Sequence, residues 1–172
     1  MMRSANELGR RNLPKLSFLG LAFLASTFLA GGWSSAEAAD REVLKEQAAE
    51  VVRSFAKSLE ALDPGAAVKS FGPKASVQIR TCGSAPQKYS RDQFKELLDA
   101  TLPHATSLEI RHVELTVTLL GNGEVATVRT RALERLVAPG FDESSESYEG
   151  FYLQRLKGKY IVTSFSSLEV CK

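Results

Sequence analysis

The chain is poor in the side chains that most often hold metals. It has two cysteines, two histidines and two methionines among 172 residues. Both methionines and the only tryptophan fall within the first 38 residues, so the remainder cannot build a methionine-ligated copper site or a tryptophan cage. Two histidines without clustered acidic or thiol ligands do not make a zinc site. We therefore expect no metal and no cofactor.

An excess of charge of one sign is also missing. The sequence holds 22 basic and 20 acidic residues. The first 38 residues contain four of the basic and two of the acidic ones, which leaves 18 of each in the rest. A neutral domain lacks the positive surface that binds a phosphate backbone, so no nucleic-acid partner is expected.

A short hydrophobic run near the amino terminus predicts export. Residues 16–30 are apolar and follow a basic stretch, and Ala36 and Ala38 have the small-x-small spacing that signal peptidase accepts. We predict a signal peptide over residues 1–38 and one mature domain over 39–172, periplasmic or secreted and free of the membrane after cleavage. An uncleaved anchor is the alternative, but a spanning helix needs about 20 apolar residues.

Two consecutive arginines in the basic stretch resemble the twin-arginine export signal. Arg10, Arg11 and Lys15 fit that signal, whereas Leu13 and Pro14 depart from it. The general secretion route is therefore favoured over twin-arginine export.

The mature region starts with helical signals. Apolar residues recur at three- and four-residue steps over residues 40–62 and predict a long amphipathic helix. Asp63 and Pro64 suit the cap and the first position of a second, short helix. Ser90 and Gln93 form a capping box that starts a third helix, which ends before a proline at position 103.

Strand signals fill the rest. Residues 75–82 alternate between polar and apolar, and residues 83–89 are rich in turn formers. Two hairpins follow, with strands over residues 108–120, 124–137, 147–157 and 160–170. The acidic, serine-rich link over 138–146 is expected to be exposed and mobile. This segregation of helices from mostly antiparallel strands predicts the α+β class.

Alternation predicts which face of the first hairpin the helices cover. The inward residues are expected to be Val113, Leu115, Val117, Leu119, Ala126, Val128, Thr130 and Ala132. The polar alternates, His112 among them, are expected to face solvent or a second subunit. Arg129, Arg131 and Arg135 form a basic row, which cross-strand ion pairing explains better than anion binding.

Three segments carry a resemblance to a known fold: VVRSFAKSLEALDPGAAVKSFGPKASVQI, then YSRDQFKELL, then the hairpins that end in RLKGKYIVTSF. Their order and lengths resemble the nuclear-transport-factor-two-like superfamily, which includes ketosteroid isomerases and SnoaL-type cyclases. The resemblance implies a cone, in which a curved, mixed but mostly antiparallel sheet wraps around a long N-terminal helix, with three helices on its concave side. It implies little about chemistry.

The resemblance also implies a pocket at the open end of the cone. Its expected wall is Phe55, Leu59, Phe71, Val77, Phe94, Leu98, Val117, Val128, Phe151 and Phe165. Such a wall suits a small apolar ligand, and the alternative is that these side chains only fill the core. A second copy of the chain, docked on the outer sheet face, is the other expected partner.

The two cysteines are expected to meet. In the resembled fold the strands that end at Cys82 and Cys171 run side by side and parallel, and an even cysteine count in an exported protein favours a disulfide. The alternatives are a redox or metal-binding pair, which no CxxC motif supports, and two free thiols.

No complete catalytic set is evident. Ketosteroid isomerases use an aspartate on the first strand and a tyrosine on the first helix. Those positions fall on Ile79 or Arg80 and on Ser54 or Phe55, and no acid lies within residues 75–89. None of these side chains can act as the required base, so isomerase chemistry is disfavoured.

Glu134, His104 and His112 are the remaining acid–base candidates. A buried Glu134 would have a raised pKa, although the plainer expectation is a place at the sheet end or an arginine partner, and both histidines are expected at the surface. The sequence thus favours an exported domain that binds a small molecule or a protein and has no catalytic set. A SnoaL-like isomerase, cyclase or lyase is the first alternative, and a structural subunit of an envelope complex is the second.

Overall fold

The computed structural model describes residues 35–171, with side chains from Glu37 onward. The described residues all fall in one compact unit. The predicted signal peptide lies outside them except for its last four residues, which begin helix α1 (Ser35–Glu60). Among the described residues, no helix is long and apolar enough to cross a membrane.

Helix α1 ends where the backbone becomes left-handed. It stops at Glu60, two residues before the predicted end, because Leu62 has a φ of 53°. The amide of Asp63 then donates to the carbonyl of Ser58 at 3.0 Å, and that of Leu62 donates to Leu59 at 2.9 Å. These two bonds satisfy carbonyls that the helix end would otherwise leave unpaired.

The two shorter helices start at the predicted caps. α2 (Pro64–Ala67) is capped by Asp63, whose Oδ1 accepts from the amide of Ala66 at 2.9 Å. α3 (Arg91–Thr101) follows the capping box, in which Ser90 and Gln93 each accept the other's amide. Both caps confirm the sequence prediction.

Six strands form one sheet. They are β1 (Phe71–Arg80), β2 (Gln87–Ser90), β3 (Ser107–Leu120), β4 (Val125–Ala138), β5 (Phe141–Leu156) and β6 (Lys159–Glu169). Their order is β2-β1-β6-β5-β4-β3. Only the β1–β6 pair is parallel among the described strands. The α+β prediction is confirmed, whereas β2 was missed because four residues are too few to show an alternating pattern.

The connection that was expected to be mobile is instead a strand. β4 and β5 pair without interruption up to Ala138 opposite Phe141, so only Pro139 and Gly140 form the turn. Gly140 has a φ of 78°, which suits glycine in a tight hairpin. The predicted link over residues 138–146 is thus a strand from Phe141 onward, because its backbone pairs with β4, whereas the expected exposure is confirmed for residues 139–144.

Five phenylalanine rings fill the space between the helices and the sheet. The ring centroid of Phe55 in α1 lies 5.4–5.7 Å from those of Phe71, Phe151 and Phe165. Phe94 of α3 completes the cluster, 5.8 Å from Phe71. All five are buried, and each contact of this kind adds about 0.5–1.5 kcal/mol beyond the area it buries.

Most of the predicted inner face of the first hairpin is confirmed. The residues that are buried or packed against the core are Leu115, Val117, Leu119, Ala126, Val128, Thr130 and Ala132. Val113 is the exception, and its position changes the functional site.

Candidate functional site

A bulge in β3 turns His112 into the interior. The β3–β4 register shifts between His112 and Glu114, and Val113 at this bulge is 41% exposed. Residues opposite one another share a face of the sheet, and His112 lies opposite Ala132, which has no exposed surface. The predictions for His112 outside and Val113 inside were both wrong, because the alternation breaks at the bulge.

His112 faces a buried carboxylate on β5. Its Nε2 lies 3.5 Å from Oε2 of Glu149, and the two side chains are only 12% and 9% exposed. That distance is long for a hydrogen bond, and Oε2 of Glu149 has no hydrogen-bond partner within the described part of the chain. Oγ1 of Thr130, directly opposite Glu149, is unpaired as well. Each buried polar group without a hydrogen bond lowers the unfolding free energy by about 1–3 kcal/mol, so a contribution to stability does not account for these residues.

Glu134 lies on the same inner face and is held by a hydroxyl. Oγ of Ser147 donates to its Oε1 at 2.7 Å, in place of the arginine partner expected from the sequence. Burial raises the pKa of Glu134, the bond from Ser147 lowers it, and the carboxylates of Glu149 and Glu169 raise it. His112 lowers it, and the net result is a pKa above the ordinary value.

We call His112, Glu134, Ser147 and Glu149 the inner polar cluster. The cluster combines an imidazole, two carboxylates and a hydroxyl on three adjacent strands, β3, β4 and β5. Such groups can hold and pass protons when they are shielded from water. Within the described residues, no group of three or more His, Cys, Asp or Glu side chains is arranged to hold a metal ion.

A cavity of about 600 Å³ opens beside Glu134. Its walls are Glu60, Glu109, Ile110, Arg111, Leu133, Glu134, Arg135, Ser144 and Ser145. Glu60, the last residue of α1, accepts a hydrogen bond from the amide of Ile110 at 2.8 Å, which ties the helix end to the edge strand β3. The volume is in the range of small-molecule sites, and a ligand inside would meet the carboxylate of Glu134.

The ten residues predicted to line an apolar pocket lie in the core or against it. Phe55 and the other rings touch one another, while Leu59 and Val117 are half-buried at the margin. The five cavities described on this structure are lined by other residues. The apolar pocket therefore stays a prediction, and the ring contacts favour the alternative that these side chains fill the interior.

Cys82 and Cys171 form the predicted disulfide, with Cα atoms 5.2 Å apart. Cys82 follows β1 and Cys171 follows β6, its parallel neighbour. The bridge joins positions 89 residues apart, for which the chain-entropy account gives about 4–5 kcal/mol of stabilisation. The amide of Cys82 also donates to Oε2 of Glu169 at 2.9 Å, so the bridge fixes the end of β6 beside Ser147.

The positions where ketosteroid isomerases carry their acid and tyrosine do not contribute to the cluster. Phe55 is in the core and Arg80 is exposed, while the carboxylates come from β4 and β5. Glu149 was not predicted from the sequence, although it alternates in phase with the buried Phe151 and Leu153 and so lies on the same face of β5. His104 is exposed in a short turn after α3, as predicted.

The basic row on the outer face is mostly neutralised. Nε of Arg131 lies 2.6 Å from Oε1 of Glu146, and Arg135 makes two bonds to Asp142, at 2.8 and 3.0 Å. Cross-strand pairing is thus confirmed for two arginines. Arg129 has no ion pair within the part of the chain that the structure describes.

Comparison with known proteins identifies the fold. No family model and no curated protein matches the chain. An NTF2-like protein with a cystatin-like fold from Novosphingobium aromaticivorans is 17% identical, with a TM-score of 0.60 over 81% of this chain and 90% of that one. A proposed dehydratase of the NTF2-like family from Streptomyces avermitilis is 12% identical, with a TM-score of 0.65 over 77% and 99%.

A third similar structure is an enzyme of stated activity. The hexachlorocyclohexane dehydrochlorinase LinA-type3 from Novosphingobium barchaimii is 10% identical, with a TM-score of 0.65 over 78% of this chain and 91% of that one. Identities this low show the fold alone. The chain therefore has the NTF2-like cone fold that the sequence resemblance implied.

Proposed function

We propose that this domain catalyses a proton transfer on a small organic molecule, as a SnoaL-like lyase or isomerase with Glu134 as the proton-carrying group. The environment of Glu134 carries the proposal. This residue lines a cavity of about 600 Å³, accepts a hydrogen bond from Ser147 and has a raised pKa. A carboxyl group whose pKa is moved towards neutrality is better matched to acid–base catalysis than an exposed one.

The inner polar cluster assigns a role to each residue. Glu134 removes a proton from a C–H bond, and the electron pair of that bond either expels a leaving group from the neighbouring carbon or shifts along a double bond. Ser147 orients the carboxylate through Oε1, which leaves Oε2 for the substrate. Glu134 then returns the proton to the far carbon or passes it to the leaving group. His112 and Glu149 are not among the residues that line the cavity, and they act through their charges on Glu134, whose pKa His112 lowers and Glu149 raises.

The position of the carboxylates supports catalysis over binding alone. The sequence favoured binding because the first strand, β1, has no acid. The structure shows carboxylates on the inner face of β4 and β5 instead. Two of the similar structures are described as a dehydrochlorinase and a proposed dehydratase, which supports elimination chemistry by analogy of fold.

A generic substrate tests the proposal before the natural one is known. When a base removes the proton on C3 of the isoxazole ring of 5-nitrobenzisoxazole, the electron pair of the C–H bond forms the nitrile, the N–O bond breaks and a coloured cyanophenolate forms. We expect the purified protein to open this ring faster than acetate at equal carboxylate concentration, because a partly desolvated carboxylate is a stronger base. Glu134→Gln should lower the rate by roughly 100-fold.

The matched control is Glu96→Gln. Glu96 is exposed on α3 and is not among the residues that line the cavity, so its variant removes the same charge and should keep the rate within about twofold. A native rate no faster than that of acetate, or an equal rate in the two variants, would contradict the assignment of Glu134.

A second candidate function is binding without chemistry, which rests on Ile79 and Arg80 standing where an acid is needed on β1. Under that proposal a small molecule co-purifies with the protein and is seen by native mass spectrometry, and Glu134→Gln leaves it bound and chemically unchanged. A molecule that is converted by the native protein and persists with the variant excludes this candidate.

We also propose that the domain is exported and that the mature chain covers residues 39–172. The disulfide supports export, because such bonds persist in oxidising compartments. Amino-terminal sequencing of protein recovered from cells should begin at Ala39. A start at Met1 on protein held in the inner membrane would contradict the proposal.

A further inference from the structure

A glycine opens a groove on the outer face of the sheet, opposite the inner polar cluster. Arg129, Gly150 and Ser166 lie directly opposite one another on β4, β5 and β6. Gly150 is in the middle of its strand, where glycine weakens a sheet and often marks the close approach of another group. A Cβ at Gly150 would lie 2.9 Å from Oγ of Ser166, so a larger residue would narrow the groove.

The walls of this groove combine apolar surface with hydroxyls. Tyr148 and Leu168 lie opposite each other, two residues along their strands from Gly150 and Ser166, and their side chains are 53% and 43% exposed. Thr116, opposite Arg129, forms the far side. These residues belong to a cavity of about 360 Å³, near the lower end of the range for small-molecule sites.

One basic side chain in the groove has no ion pair among the described residues. Arg131 is neutralised by Glu146 and by Glu114, which lies 3.7 Å away. Arg129 is exposed and has no ion pair among the described residues. A free guanidinium prefers a carboxylate, which it binds through two parallel hydrogen bonds.

We propose that the outer groove binds a small carboxylate with a flat apolar body, such as an aromatic carboxylic acid. The carboxylate pairs with Arg129, and the flat body lies over Gly150 against Tyr148 and Leu168. A second copy of the chain on this face is the competing occupant, and a dimer that buries Gly150 would reveal it. This inference is independent of the chemistry proposed for Glu134.

The test is an NMR titration of ¹⁵N-labelled protein, purified from cells that express the complete chain. Benzoate is the probe, and benzamide is its neutral isostere. Benzoate should shift the amide signals of Gly150, Ser166 and Leu168 with a dissociation constant on the order of 1 mM. Benzamide should bind about tenfold more weakly, because it lacks the charge that Arg129 recognises.

Two variants and one control complete the test. Arg129→Gln should weaken benzoate binding about tenfold, and Gly150→Ala should weaken it by filling the groove. Lys57→Gln, which removes an exposed charge from α1, should leave it unchanged. Equal binding of benzoate and benzamide, full binding by Arg129→Gln, or a dimer whose interface buries Gly150 would each overturn the proposal.

Discussion

The hydroxyl of Ser147 on β5 donates a hydrogen bond to Oε1 of Glu134 on β4 over 2.7 Å. This bond favours the charged carboxylate, whereas burial disfavours it, and burial has the larger effect on the pKa of Glu134. The hydrogen bond from Ser147 therefore orients the carboxylate of Glu134 but does not fully compensate for the solvation that this carboxylate loses on burial. The acid–base behaviour of the domain follows from this pair.

The Ser147 hydroxyl can be removed without changing charge. Ser147→Ala should raise the pKa of Glu134 further, because the bond that lowers it is lost, and should cost about 1 kcal/mol of unfolding free energy. Titration of the glutamate carboxyl carbons by ¹³C NMR measures the pKa. Ser166→Ala, on the outer face, is the control and should leave the pKa of Glu134 where it is. An unchanged or lower pKa in Ser147→Ala would show that the hydroxyl does not act on Glu134.

The raised pKa of Glu134 also makes stability depend on pH. The native state holds the proton of Glu134 more tightly than the unfolded chain does. The stabilisation that this proton gives the native state is therefore complete below the ordinary pKa of 4.5, and it is lost as pH rises through the native pKa. Glu134→Gln mimics the protonated form at every pH. The unfolding free energy of the variant minus that of the native protein should therefore increase as pH rises through this window. The increase should be about 1.4 kcal/mol for every pH unit that separates the native pKa of Glu134 from the ordinary one.

Urea unfolding between pH 3 and pH 8 measures this difference, and a difference constant with pH would contradict it. Asp142→Asn is a control of opposite sign. Arg135 lowers the pKa of Asp142, so the stabilisation from that carboxylate is present above its ordinary value of 3.8 and is lost as pH falls. Because Asp142 is exposed to solvent, its effect should be small.

The disulfide should contribute the largest single term to stability. Replacement of Cys82 and Cys171 by alanine should lower the unfolding free energy by about 4–5 kcal/mol. Urea denaturation of the oxidised native protein and of the variant measures the loss. Reductant should destabilise the native protein and leave the variant unaffected, and two free thiols in unreduced native protein would rule out the bridge.

Phe55 and Phe165 should be the most sensitive positions of the aromatic cluster, since each of the two rings contacts the other four. Phe55→Ala should cost about 3–5 kcal/mol. Phe141→Ala makes the same truncation at an exposed ring and should cost less than about 1 kcal/mol. Thermal or urea unfolding compares the two, and equal losses would contradict the described core.

Local signals predicted much of this fold. The caps at Asp63 and Ser90 and the hairpin at residues 121–123 depend on hydrogen bonds and backbone angles within a few residues, so they can be read directly from the sequence. The order of elements was enough to indicate the cone. The strand over residues 141–146 was missed because its backbone pairs with β4, a long-range contact that its polar, acidic sequence does not indicate.

The candidate site was only partly predictable for a related reason. Glu134 was correctly placed on the inner face by its alternation with Thr130 and Ala132. His112 was misplaced because one extra residue, Val113, shifts the phase of β3, and no single residue type announces a bulge. The partnership of His112 with Glu149 joins two strands that do not pair with each other, and the sequence alone does not give that distance.

The most direct test of the account is the pKa of Glu134 in the native protein, measured by ¹³C NMR of its carboxyl carbon and assigned by the loss of that signal in Glu134→Gln. The account predicts a midpoint above the ordinary value of 4.5, because burial outweighs the hydrogen bond from Ser147. A midpoint at or below 4.5 would mean that burial does not outweigh the groups that stabilise the charged carboxylate, and would contradict the role of Glu134 as the proton carrier.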